Sequence, residues 1–378
     1  MKILYILQSF NTGGVESVAR DLMNGMIRLD GLTEIYLLVL SNNKLDLLGQ
    51  LDNRIKIHII PFKNRKSGIV NTLGLFFHYK RIAETIREIS PDIIHTHVML
   101  YSSLPVYLAM KSLKYKFQHF HTIHTVGLHY SSKSFLSRLK CKIESKIYKT
   151  FNSKIVSISP VLNDIIKEKL HVNKSSIYNI SNGVDLRKFP NLKTKSEEPK
   201  SDFNIIYLAR LDNGKNHITL LKAIYLVKEK IPNIKLHLIG DGAEKENITN
   251  FISSNQLNDT VVMHGDVQNV VPVLQDGDVG VFPSEFEGCS IAILEMMASG
   301  LPIICSSIPA FTSIFSSDEV LYFECFDYKK IADHIENLYY NNDKRNELSA
   351  KSLNIAKRFS LDEMISKHIC AYKNDNTD

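Results

Sequence analysis

The sequence predicts an α/β protein made of two tandem units, each a parallel sheet covered by helices. Three observations carry that expectation. Short apolar strand patterns alternate with amphipathic helix patterns through the first half, and the alternation restarts near residue 203. Between the two runs lies the low-hydrophobicity stretch NLKTKSEEPKSD, Asn191 to Asp202, the best place for a domain boundary. Charge divides at the same place: residues 1–199 hold 29 Lys and Arg against 15 Asp and Glu, whereas residues 200–378 hold 17 against 25. Opposite balances suit two domains with different partners.

In the first half KILYILQ, EIYLLVL, KIHII, DIIHTH, KFQHFHTIH and KIVSIS read as buried strands. The first helix is VESVARDLMNGMIRL, where Val15, Val18, Ala19, Leu22 and Met26 form one apolar face. FNIIYLA, KLHLIGDG, VVMHG, VGVFPS, LPIICS and VLYFE are the strands expected in the second half, with ITLLKAIYLVKEKI the clearest helix. The expected division is 1–190, a linker at 191–202, a second domain over 203–355 and terminal helices over 356–378. Two such sheets would leave a cleft between their strand ends, where doubly wound folds bind ligands.

With 378 residues and 44% hydrophobic content, the chain is long enough for two cores. No apolar run approaches the ~20 residues of a spanning helix, and MKILYIL is too short for a signal peptide, so a cytoplasmic location is expected. Five cysteines without CxxC spacing suggest neither a disulfide framework nor a zinc site. The basic excess is densest at FKNRKSG (Phe62 to Gly68) and over Ser131 to Lys154. In the latter, Phe135, Leu139, Ile143 and Ile147 recur every four residues among Lys133, Arg138, Lys140, Lys142, Lys146 and Lys149. Such a helix either rests on an anionic membrane or packs as a core helix with a solvated lysine face. No nucleic-acid motif accompanies the charge, so nucleic acid is not an expected partner.

Four constellations could carry chemistry. SFNTGGVE (Ser9 to Glu16) places Gly13 and Gly14 before the first helix, whose free N–H groups favour an anion such as a phosphate, although it is not a GxGxxG fingerprint. LARLDNGKN puts Arg210 and Lys215 after the first strand of the second half, positioned to clamp a diphosphate. EFEGCSIAILEMMASGLP (Glu285 to Pro302) gives a loop, Ser290 as N-cap and a helix running to Ser299. On that helix Ile291, Leu294, Glu295 and Ala298 share one face, so Glu295 is expected beside the packed side, where a carboxylate needs a partner or a ligand hydroxyl. Glu287 lies before the helix, near its positive end. The histidines of IIHTHV (His95, His97) and FQHFHTIH (His119, His121, His124) sit at strand ends; alternation would point neighbours to opposite faces, and one histidine acting on a substrate is expected rather than a metal. Asp276-Gly-Asp278 imitates a metal-binding DxD signature but enters a buried strand and reads as turn chemistry.

Together these residues resemble the retaining glycosyltransferases of family 4, the group 1 glycosyltransferases, which have the GT-B fold. EGCSIAILEMMASGLP matches their E-x7-E segment; GGVE, ISNGVDLRKF, ARLDNGKN, LIGDG, MHGDV and FPSEFEG follow in the family's order, and RFSLDEMISKHICAYK is similar to its last helices. The resemblance implies two Rossmann-like domains facing a cleft, the first binding acceptor and the second a nucleotide-sugar donor, with the C-terminal helix crossing back to the first. It implies Glu287 and His124 at the transferred sugar and Glu295 on the ribose. Arg210, Lys215 and Gly14 would meet the diphosphate, and the backbone of Gly288, Cys289, Ser290 and Ile291, with Gly240, Gly265 and Val267, would complete donor binding. No metal and no cofactor are then expected. Ala209 stands for the family's usual glycine before Arg210 and Asn216 for the glycine after Lys215, while Cys289 and Ser290 replace an aromatic and a glycine or proline.

The expected function is retaining transfer of a sugar, with UDP the favoured carrier, to a lipid-linked or glycan acceptor of bacterial surface polysaccharide (O-antigen, capsule or exopolysaccharide), with the inner face of the cytoplasmic membrane as the expected place of contact. The leaving phosphate would assist the acceptor hydroxyl on one face; a double displacement through Glu287 is the alternative. Two other classes remain open, a non-hydrolysing UDP-sugar 2-epimerase and a non-catalytic sugar-binding protein.

Overall fold

The computed structural model describes residues 1–31, 33–41, 45–60, 72–98, 100–124, 134–189 and 202–373. The basic stretch 62–68, Lys133 and the expected linker over 191–201 lie outside them. The chain divides into two compact units, Met1–Ser181 with Leu361–Asp378, and Asn182–Ser360.

The first unit is built on a seven-stranded parallel sheet in the order β3-β2-β1-β4-β5-β6-β7. Its strands are β1 (Lys2–Leu7), β2 (Glu34–Val39), β3 (Lys56–Ile59), β4 (Ile93–His97), β5 (Gln118–Ile123), β6 (Lys154–Ser157) and β7 (Ile177–Asn179). Ile3 to Leu7 and Leu37 to Leu40 are almost wholly shielded from water, which is why they read as unbroken apolar runs rather than alternating ones. Around the sheet stand α1 (Gly14–Leu29), α2 (Thr72–Ile89), α3 (Leu100–Lys111), α4 (Phe135–Thr150) and α5 (Pro160–Leu170). β7 is an addition to the strands expected from sequence; its three residues, IYN, are half-buried to exposed and too short to show a period.

The second unit holds a six-stranded parallel sheet in the order β10-β9-β8-β11-β12-β13. The strands are β8 (Phe203–Leu208), β9 (Ile234–Ile239), β10 (Val261–Gly265), β11 (Val279–Phe282), β12 (Ile303–Ser306) and β13 (Leu321–Phe323). They are connected through α6 (His217–Val227), α7 (Lys245–Ser254), α8 (Val271–Asp276), α9 (Ile291–Ala298) and α10 (Pro309–Thr312), and followed by α11 (Tyr328–Tyr340) and α12 (Asn342–Arg358). Asp278 accepts a hydrogen bond from the Asn204 backbone at 2.9 Å, as a structural turn residue does.

Both ends of the second unit differ from expectation. Residues 182–189 belong to it rather than to the first domain, because Val184 N–H donates to the Phe359 carbonyl at 2.8 Å and Asn182 Nδ2 donates to the Cys289 carbonyl at 2.7 Å. Residues 356–360 likewise stay with this unit, and only from Leu361 does the chain join the first. There α13 (Leu361–Lys373) packs on α1 so closely that a Cβ on Gly25 would fall 2.1 Å from Ile365 Cδ1. A side chain at position 25 would therefore have to push the end of Ile365 aside where the two helices meet.

The basic helix α4 also turns differently from a core helix. It buries Ser137, Cys141, Glu144, Ser145 and Tyr148, and leaves Phe135, Leu136, Leu139 and Ile143 between 39% and 79% exposed. The first three turns of its apolar stripe face water, with Arg138, Lys140, Lys142, Lys146 and Lys149 exposed around it, while Ile147 packs against the core of the unit.

Candidate active site

Open parallel sheets bind ligands beyond their carboxyl ends, where strand order reverses. In the second sheet that point lies between β8 and β11. The loop leaving β8 carries Arg210 and Lys215, and the loop leaving β11 carries Glu287.

Lys215 Nζ and Glu287 Oε1 form a close ion pair, with side chains 23% and 10% exposed, so it is better shielded than an ordinary surface pair. Two further contacts clasp the two loops, and a third ties Lys215 back to β8. Glu285 N–H donates to the Gly214 carbonyl at 3.0 Å, and Tyr207 Oη donates to the Lys215 carbonyl at 2.6 Å. Phe286 lies over Gly214, where a Cβ would come within 2.4 Å of the ring. Arg210 is paired instead with Asp212, at 2.6 Å, and its side chain is 75% exposed. Asn216, in place of the family's glycine, adopts φ +54°, the left-handed region that asparagine tolerates better than most residues. Its Nδ2 and the Nδ1 of His217, both buried beside Lys215, have no hydrogen-bond partner.

Gly240 and Gly265 meet through one hydrogen bond, Gly240 N–H to Gly265 O, 2.8 Å. Gly240 has φ +133° and no room for a Cβ, which would sit 2.2 Å from the Ala209 carbonyl oxygen; Gly265 has φ +67° and open space around it. Val267 follows, half-buried.

Ser290 occupies the N-cap of α9, but its side chain makes no capping bond, leaving the first-turn N–H groups to other partners. Cys289 is buried, and desolvation pushes its thiol up to about 12. Only the backbone there can address a ligand, and its carbonyl is already held by Asn182. Asn182 was visible in sequence as part of ISNGVD, without a role; Tyr207 and Phe286 gave no signal beyond strand and loop. The helix ends at Ala298, one residue early. Glu295 lies beside the packed face, half-buried at its edge. Ile293, Leu294, Met296, Met297 and Ala298 are buried, while Ile291, Ala292, Glu295 and Ser299 are half-buried, so the carboxylate shares the more open side.

In the first sheet the reversal lies between β1 and β4. Gly14 opens α1 beyond β1, with open space where its Cβ would be. A carboxylate already addresses this turn: Glu16 Oε1 accepts from Ser9 Oγ at 2.7 Å, and its Oε2 would be 2.5 Å from a Cβ on Gly13. The histidines divide between the two faces of the sheet. On one, His95 bonds to Tyr372 Oη at 2.5 Å and Thr122 Oγ1 at 2.7 Å, Tyr372 meets Tyr5 at 3.1 Å, and His97 Nδ1 meets His124 Nε2 at 2.8 Å. On the other, Thr96 Oγ1 meets His119 and His121 at 3.0 and 2.8 Å. Burial holds all five imidazoles below their ordinary range, His121 at about 4 and His124 at about 3. Among the described residues no three His, Cys, Asp or Glu side chains are grouped to hold a metal ion.

Two sequence profiles match in tandem, "Glycosyltransferase Family 4" over residues 12–188 and "Glycosyl transferases group 1" over residues 188–354. The chain belongs to the group 1, family 4 glycosyltransferases. This glycosyltransferase is 25% identical over 315 residues to the capsular polysaccharide biosynthesis glycosyltransferase CapH of Staphylococcus aureus, covering 82% of each chain. In fold it is similar to a glycosyltransferase from Rickettsia africae (TM-score 0.82, 19% identity, 100% of this chain and 99% of that one). Anabaena HepE, solved with UDP and glucose, is similar at TM-score 0.79 and 14% identity, over 98% of this chain and 100% of that one. The architecture of the glycosyltransferase is GT-B, with two parallel-sheet α/β domains.

Proposed function

We propose that this glycosyltransferase transfers a hexose with retention from a UDP-sugar to a lipid-linked or glycan acceptor, without a metal ion, in the assembly of a bacterial surface polysaccharide. The observation that carries the reading is the Lys215–Glu287 ion pair at the switch point of the second sheet. It joins a cation suited to a departing diphosphate and a carboxylate suited to sugar hydroxyls. On donor binding Lys215 turns to the diphosphate, with Arg210 beside it, and Glu287 keeps the sugar. The bond from the anomeric carbon to the phosphate oxygen breaks, the acceptor oxygen bonds to the same face, and its proton passes to the leaving phosphate. Backbone groups from Gly288 to Ile291, with Gly240, Gly265 and Val267, border the donor, Glu295 takes the ribose hydroxyls, Gly14 approaches the diphosphate, and His124 binds the transferred sugar. The likeness to CapH supports a polysaccharide product, and that to HepE supports UDP.

The test is a panel of UDP-, GDP- and ADP-sugars, each mixed with purified protein and followed by NMR for slow hydrolysis. A UDP-sugar is expected to be consumed with the anomeric configuration kept. Glu287→Gln is expected to stop turnover while leaving UDP binding intact; undiminished turnover in that variant sinks its role, and epimerisation of UDP-GlcNAc alone sinks the transferase reading.

The acceptor side of the proposal includes an anionic membrane. No described helix is long and apolar enough to cross one. The exposed Phe135, Leu136, Leu139 and Ile143 of α4, ringed by cations, instead suit insertion at a surface. Each basic residue contributes about 1 kcal/mol near anionic lipid. The protein is expected to float with phosphatidylglycerol vesicles at low salt and not with neutral ones, and Phe135→Asp with Leu139→Asp should keep it in the pellet fraction. Equal flotation of that variant removes α4 as the contact.

A further inference from the structure

His97 and His124 stand at the carboxyl edge of the first sheet, His97 ending β4 and His124 following β5. Their facing nitrogens are His97 Nδ1 and His124 Nε2, 2.8 Å apart. His97 is buried, 7% exposed, with its ring centroid 4.4 Å from that of His95 and 6.0 Å from that of Tyr5, so neighbours fix its plane. His95 is in turn held at both nitrogens, by Tyr372 and Thr122. His124 keeps part of its surface open.

We infer, on the reading of His124 just given, that His97 is a positioning residue: it engages Nε2 of His124, leaves Nδ1 as the one nitrogen available to the sugar, and fixes the proton there. A neutral imidazole has one donor and one acceptor nitrogen, so one of the two facing nitrogens carries the shared proton. Both rings are neutral at pH 7, because burial holds them below their ordinary range. If His124 donated, the proton of His97 would lie on its Nε2, which is buried without a partner. A buried N–H without an acceptor is rare in folded proteins. If His97 donates, Nε2 of His97 holds only a lone pair, and Nδ1–H of His124 is free to donate to a sugar oxygen. The tautomer of one ring is set by the hydrogen bond its other nitrogen makes.

The full chain labelled with nitrogen-15 histidine reports this directly. Long-range proton–nitrogen correlation at neutral pH is expected to show His124 as a single tautomer with its proton on Nδ1. His97→Asn, whose amide occupies the Nδ1 position, should preserve that signature and turnover. His97→Phe keeps a ring but no nitrogen, and should give a mixture of His124 tautomers and a loss in kcat of about tenfold, the worth of one hydrogen bond, with UDP affinity unchanged. A His97→Phe chain that does not fold is replaced by His97→Gln, whose amide sits at the Nε2 position. An unchanged His124 tautomer in the variant lacking the contact, or a wild-type proton on Nε2, overturns the inference. A changed tautomer with undiminished turnover leaves the positioning intact and removes His124 from the proposed reaction.

Discussion

Replacing Lys215 by methionine is expected to lower transfer by about 10²- to 10³-fold, the usual effect of losing one preorganised group that stabilises developing charge. The leaving diphosphate loses the cation at the end of β8, and Glu287, only 10% exposed, is left without its partner. Thermal unfolding should show a stability loss of about 2 kcal/mol, below the ~3–5 of a fully buried pair because Lys215 keeps 23% of its surface. Lys215→Met with Glu287→Gln separates the two effects. The double variant should regain part of the stability, since no carboxylate is stranded, and none of the turnover. A Lys215→Met enzyme with wild-type turnover would show that the cation acts only as a strut for Glu287.

Acidification is expected to unfold the first unit before the second. Desolvation places His95, His97, His119, His121, His124 and His368 below their ordinary pKa, with His121 and His368 at about 4 and His124 at about 3. In the unfolded chain each titrates near 6.5. Below that pH the unfolded state takes up protons that the folded state cannot. Stability is therefore full above about pH 6.5 and falls as pH drops towards the folded values, by up to ~1.4 kcal/mol per pH unit for each group. With six such groups in one unit, acidification costs the first unit more stability than the second. In the second unit only His217 is held as low, at about 4. Hydrogen exchange at stepped pH should show β4, β5 and α13 losing protection first, near pH 5. Equal loss in β8 and β11, or full protection of β4 at that pH, contradicts the expectation.

Much of this was legible in the sequence because parallel strands buried on both faces appear as near-continuous apolar runs, and β1, β2 and β12 stand out that way. The loops after β8 and β11 were legible through glycine and charge, which ordinary cores avoid. Elsewhere tertiary partners decide. The stripe Phe135, Leu139, Ile143 was readable, but no periodicity says that α4 would bury Glu144 and Ser145 instead. Glu295 could be placed only beside the packed side and not more closely, because seven of the eight residues of α9 are apolar and the helix carries no readable polar phase. The boundary at Ser181 depends on hydrogen bonds from Asn182 and Val184 to residues more than a hundred positions away, which a local polar stretch cannot announce.

The docking of α13 on α1 has a consequence for synthesis. The second unit is a continuous segment, Asn182–Ser360, and every strand of its sheet precedes α13 in the order of synthesis. The first unit is begun earlier and finished later, because Tyr372 must still reach the hydroxyl of Tyr5 and the ring of His95, and Ile365 the notch at Gly25. Until then β1 and β4 keep their polar side chains without their last partner. The half translated first is the half completed last, and during that interval the nascent chain relies on whatever shields an unfinished sheet.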